Sequence, residues 1–287
     1  MSTNKLNPVT PTMIGKNSSM MEERALHEIH IFLNPLNPTE EDLQRYYEAV
    51  NEWNNNNPTM MQMKACYLCL VFNINGVDTD ICVMQSARYY RDNDIDKVIN
   101  QCKADCMFFE SKGLSVLREK IEANAHSING IPLSESDTKE FPLNYFEFHI
   151  KVQRKNKADN CYNEPISDSE LAQLKLVSKY LTHSYKRPVP LSYNKNKDKV
   201  QQDNEGHQRF FNVRFRNVGL DTIKTNLTII KNIINTTTDF QVLKSIDEYV
   251  WYDTNPKVDY GWIDFEPDTE QEILNNLMTY FTSNKFE

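Results

Sequence analysis

Glycine is scarce in this chain, with 7 among 287 residues. That scarcity excludes a glycine-rich loop whose backbone amides would cradle a phosphate, and the sequence contains no G-x-x-x-x-G-K-[ST] and no G-x-G-x-x-G. His-Glu-x-x-His and the nucleophile elbow are missing too, so zincin and α/β-hydrolase chemistry have no foothold. Basic excess is lacking as well: the formal charge is −8. A chain of that balance has nothing to neutralise phosphates along a duplex, so general nucleic-acid binding is not expected. No apolar run approaches the roughly 20 residues that cross a bilayer, and the first residues lack the apolar stretch of a signal peptide. A soluble, intracellular protein is the expectation, with no membrane partner.

The six cysteines do not form a convincing framework. Cys66 and Cys69 make a C-x-x-C inside ACYLCLVFNI, where strand geometry sends them to opposite faces. Cys102 and Cys106 are four apart in a helical pattern, and Cys82 lies in a strand pattern. Buried free thiols are the expected state of these groups.

What is present is a duplication. EIHIFL at 28–33 and FEFHIKV at 146–152 share Glu-x-His-Ile, and each opens a similar series. After the first come a helix opened by Thr39, strands ACYLCLVFNI and DICVMQSAR, a helix ended by Gly113, and strand VLREKIEA. After the second come a helix opened by Ser167, strands PVPLSY and RFFNVRFRNV, helix LDTIKTNLTIIKNII and strand SIDEYVWYD. VLREKIEA also aligns with VLKSIDEY, which places Glu122 and Glu248 in one column.

The order βαββαβ, read twice, predicts an α+β fold of two tandem ferredoxin-like halves packed with a cleft between their sheets. Residues 1–21 are read as a flexible leader, 22–126 as the first half, 127–143 as a linker, and 144–287 as the second half with its C-terminal tail.

Alternation assigns faces. Phe146, Phe148, Ile150 and Val152 turn to the helices, leaving Glu147, His149 and Lys151 on the open face. In the first copy Ile29, Ile31 and Leu33 turn inward and leave Glu28, His30 and Phe32. Asn212, Arg214 and Arg216 share the open face of their strand.

Carboxylate and imidazole two residues apart on a strand lie side by side, which suits acid–base work or a divalent metal. Glu147, His149, Glu28 and His30 are therefore the candidate catalytic residues. The bland reading is a hydrogen bond inside an interface. Lys151, Arg214, Arg216 and Arg209 form the cationic cluster best suited to an anion, with Asp253 at the mouth. Arg88, Arg118 and Lys120 could join it. Asp259, Gly261 and Trp262 of the tail either shape a loop or line the same mouth.

FEFHIKV, LSYN, RFFNVRFRNVG and EYVWYDTNPKVDYGWI, with REKIEA before them, resemble a family of duplicated α+β proteins of uncharacterised activity. The resemblance implies architecture and no reaction. His30 and His149 are also similar in layout to the two-histidine phosphoesterases, but Phe32 and Lys151 stand where that family has a hydroxyl. Glu147, His149, Lys151, Arg214 and Arg216 look like the Glu-x-Glu-x-Lys strand and arginines of the triphosphate-tunnel enzymes, with His149 in place of the middle Glu.

The functional expectation is an enzyme or binding protein for a small anionic, phosphorylated ligand held between the halves. A divalent metal cofactor is possible and its identity unknown. The alternative is a non-catalytic module with a protein partner.

Overall fold

A computed structural model describes residues 25–74, 77–126, 130–155, 166–194 and 208–255, without the side chains of 70–80 and 194. Asp259, Gly261, Trp262 and the expected leader lie outside these residues. Eight strands and four helices are found among them. The first run gives β1 (Leu26–Leu33), α1 (Glu40–Asn56), β2 (Lys64–Ile74), β3 (Val77–Arg91), α2 (Ile95–Ser111) and β4 (Val116–Asn124). The second gives β5 (Tyr145–Arg154), α3 (Asp168–Tyr185), β6 (Leu191–Asn194), β7 (Arg209–Phe215), α4 (Leu220–Thr237) and β8 (Phe240–Asp253).

The helices begin where their caps dictate. Thr39 and Asp42 form a reciprocal capping box at α1, and Ser167 and Glu170 do the same at α3. Glu170 is bound from the sheet as well, because its carboxylate also accepts from Arg154 of β5 at 2.6 and 2.5 Å, tying the start of α3 to that strand. Ser167→Ala removes one acceptor and one donor from this knot. Urea unfolding of the variant should show a loss of about 1 kcal/mol, and an unchanged midpoint would mean that Arg154 alone fixes Glu170. At α4 the cap is Gly219, where a Cβ would run into the backbone of Leu133 and Ser134.

Alternation sorts the strands as expected. Ile29, Ile31 and Leu33 pack with Tyr46, Val50 and Trp53 of α1 and Val98, Cys102 and Phe109 of α2. Phe146, Phe148, Ile150 and Val152 pack with Leu174, Val177 and Leu181 of α3 and Ile223, Leu227, Ile230 and Ile234 of α4. Each such fully buried aromatic or aliphatic side chain contributes about 1.5–3 kcal/mol, so these two outer clusters hold the helices on the sheet.

The sheet itself corrects the expected fold. The strands form one closed antiparallel barrel in the order β1-β3-β2-β6-β7-β5-β8-β4, not two ferredoxin-like halves facing each other across a cleft. Two seams close it: β2 pairs with β6 through Leu68↔Asn194, Cys69↔Tyr193 and Leu70↔Ser192, and β4 pairs with β8 from Lys120↔Asp253 to Asn124↔Glu248. Sheet edges that would otherwise expose unpaired backbone groups satisfy each other, which removes every edge strand. The faces left over by the helices consequently turn into the barrel. No helix among the described residues is long and apolar enough to cross a membrane.

The cysteine expectation is also corrected. Cys69 and Cys82 sit directly opposite on β2 and β3, with Cα atoms 4.1 Å apart, and are joined as a disulfide. Among the described residues Cys66, Cys102 and Cys106 are not in a disulfide.

Candidate functional site

The barrel interior is a buried charge network built around Glu147. Its carboxylate accepts from Arg214 Nη2 at 2.5 Å and from Lys120 Nζ at 2.7 Å. Lys120 in turn lies 2.6 Å from Glu122 Oε2, and His30 Nε2 lies 2.5 Å from Glu122 Oε1. Burial by itself would raise the Glu147 pKa, but Arg214 and Lys120, then His149, outweigh it and hold the carboxyl well below its usual range. Lys120 is driven the other way: burial opposes its charge, yet Glu122 and Glu147 keep it protonated far into alkali.

Each half carries one histidine spanning a carboxamide and a glutamate. His30 meets Gln85 of β3 through Nδ1 and Glu122 of β4 through Nε2. His149 meets Asn212 of β7 through Nδ1 at 2.6 Å, and its Nε2 lies 3.4 Å from Glu248 of β8 and 3.6 Å from Glu147. Asn212 is oriented by its own amide nitrogen, which donates to Ser192 Oγ at 2.9 Å and to the Pro190 carbonyl at 3.2 Å. Its oxygen must then face His149, so Nδ1 carries a proton. Nε2 faces two carboxylates and carries the other. His149 is thus an imidazolium: burial disfavours the charge, but Glu147 and Glu248 outweigh it and bring the pKa to about 9. Glu248 is raised from its ordinary value, by burial and by Glu122 nearby.

One end of the barrel is lined by arginines. Arg118 grips Asp253 with two bonds, at 2.8 and 2.5 Å, and its Nη2 also reaches the Tyr145 hydroxyl at 3.0 Å. That hydroxyl donates to Asp253 at 2.8 Å. Arg214 and Arg216 each stand 6.0 Å from the centre of the Tyr145 ring. Burial raises the Asp253 pKa, but Arg118 dominates and lowers it below the carboxylate range.

Of the residues singled out from the sequence, Glu147, His149, His30, Arg214 and Asp253 meet within this interior network, and Glu28 and Arg216 stand at its margins. Glu28 bonds Tyr89, pushing up that phenol's pKa behind the larger effect of burial. Lys151 shares the inner face but lies over Phe210, 5.8 Å from the ring centre, beyond His149 on the strand. Arg209 does not join them: it has the parity of Phe211, which packs under the helices, and stacks on Tyr193 at 4.7 Å. Arg88 likewise turns outward, bonding Asp105 of α2 at 2.6 Å and lying over Trp53. Gln85, Tyr89 and Tyr145 also belong to the site, though none carries a charge that marks it in the sequence. Alternation along DICVMQSARYY and YFEFHIKV was the signal that places all three on the inner face.

Neither the known family descriptions nor the curated proteins include a match to this chain. Among solved structures it is similar to a dye-decolorizing protein from V. cholerae, at 11% identity over 79% of this chain and 94% of that one, with a TM-score of 0.26. A protein from Fusobacterium nucleatum described as a candidate monooxygenase is similar at 14% identity over 86% of this chain and 99% of that one, also at 0.26. Likenesses of that size carry no functional conclusion, so the chemistry of the site rests on this chain's own residues.

Proposed function

We propose that the protein binds a small anionic, phosphorylated ligand at the arginine-lined end of the barrel. The observation that supports this reading is the gathering of three guanidinium groups around Tyr145, Arg118 at its hydroxyl and Arg214 and Arg216 beside its ring. Guanidinium forks match phosphate oxygens two at a time, and like charges gathered this closely favour an anion among them. Arg216 is the partly exposed member, so a ligand would meet it first. Glu147 would act there as a counter-ion that positions Arg214 rather than as a base, since its two cations hold it ionised. His149, protonated, is suited to donate a proton and not to accept one.

Calorimetric titration with pyrophosphate, a nucleotide and a sugar phosphate tests the reading. Wild type should bind at least one of them saturably, and Arg216→Ala should weaken that affinity about tenfold or more, as expected when a charged hydrogen bond is lost. Absence of binding by all three would remove the anion reading. It would leave the non-catalytic interaction module, which is favoured by one specific observation: the Glu147–His149 pair is already closed by Arg214, Lys120, Asn212 and Glu248 inside the barrel.

A further inference from the structure

The duplication aligns the interior residue by residue. In the first half Glu28 stands opposite Tyr89 on one side and Glu122 on the other. In the second, Glu147 stands opposite Arg214 and Glu248. Each half therefore holds the same triple, Glu28–His30–Glu122 and Glu147–His149–Glu248, two carboxylates flanking an imidazole. The halves differ in what neutralises the triple. The second has Arg214 built into the strand beside it, 2.5 Å from Glu147. The first has Tyr89 at that position, a neutral phenol hydrogen-bonded to Glu28. Lys120 occupies the second oxygen of Glu122 and is shared with Glu147, and among the described residues Glu28 has no ion-pair partner.

Independent of this charge imbalance, His30 is buried and aimed into the triple. Gln85 holds the Nδ1 of His30, and the Nε2 faces Glu122 Oε1 at 2.5 Å, so Nε2 is the nitrogen turned toward an incoming ion. Donor atoms of Glu28, His30 and Glu122 all lie within 4.8 Å of one another. We propose that Glu28, His30 and Glu122 form a divalent-cation site, in which the metal supplies the positive charge that Arg214 supplies in the other half. One imidazole nitrogen with two carboxylates suits Mn²⁺, Fe²⁺ or Zn²⁺. Glu28 is partly exposed, so the ion enters from its side and keeps water on the remaining positions. Nothing in this site depends on the arginine-lined end, and either assignment can fail without the other.

Mn²⁺ is the probe of choice, because the other cluster of ligating groups, Cys102, Cys106 and Glu119, contains thiols that prefer softer ions. The full chain, stripped with a chelator and dialysed, is titrated with Mn²⁺ while the electron paramagnetic resonance signal of the free ion is followed. Wild type should take up one Mn²⁺ with a dissociation constant in the micromolar range. Glu28→Gln and His30→Gln should each weaken binding by about tenfold or more. Tyr89→Arg should abolish it while circular dichroism stays native, because that substitution gives the first half the guanidinium of the second. The proposal is overturned if wild type binds no Mn²⁺ below about 1 mM, or if Glu28→Gln and a folded Tyr89→Arg bind as wild type does.

Discussion

Glu147→Gln should lower the stability of the protein by about 3–5 kcal/mol, the cost of breaking a buried ion pair from one side. The carboxylate is 1% exposed and holds both Arg214 and Lys120. An amide fills the same space but brings no charge, and its NH₂ would face one of the two cations. Arg214 then has a neutral oxygen at best, and Lys120 keeps only Glu122. Since each kcal/mol moves the midpoint of a large domain by about 2–4 °C, thermal unfolding should shift by roughly 10 °C. Replacing Arg214 with Met in the same chain should recover part of this loss, because an apolar partner leaves one fewer stranded cation. A single variant within about 1 kcal/mol of wild type would show that water enters the barrel and screens the cations, and the assignment of a dry network would then be wrong. Acid should imitate the substitution. The folded pKa of Glu147 is depressed, so its contribution is present above the ordinary carboxylate range and is lost as pH falls through the lower folded value.

The interior was legible in the sequence, whereas its closure was not. Period-two alternation in FEFHIKV and RFFNVRFRNV places Glu147, His149, Arg214 and Arg216 on one face, whatever lies opposite that face. The same pattern arises when two sheets stack and when one sheet rolls up. The barrel is decided by the seams β2–β6 and β4–β8, and β6 contributes only the four residues Leu191–Asn194. Pairing between segments more than a hundred residues apart leaves no local mark, and so short a strand has little pattern to read. Arg88 illustrates a second limit. A charged residue in a strand reads as facing polar surroundings, but here it lies on the helix side because Asp105, set among Cys102, Cys106 and Phe109 on α2, meets it there. A buried pair split between a helix and a strand shows itself only when both partners are placed.

Alkali should loosen the protein through His149. In the folded chain its pKa is about 9, against 6.5 for the free side chain. Below pH 6.5 both states are protonated and the full contribution is present. Between 6.5 and 9 the unfolded chain has released the proton while the folded one retains it, so stability falls with each step in pH. A gap of that size corresponds to about 3 kcal/mol, trimmed to about 2 kcal/mol because the side chain is 26% exposed and partly screened by solvent. The groups facing the ring are Glu147 on its own strand, Glu248 from β8, Lys120 from β4 and Asn212 from β7. Glu147 and Lys120 do not change charge in the window, because the first is held ionised well below it and the second titrates far above it. Urea midpoints measured at pH 6, 7.5 and 9 in the presence of a chelator should decline steadily for wild type. His149→Gln should start lower, having lost its bond to Glu248, and should decline much less. A variant with the wild-type slope would assign the alkaline loss to another group. It would also undo the imidazolium inferred from the orientation of Asn212, because a neutral ring could not offer protons to an amide oxygen and a carboxylate at once.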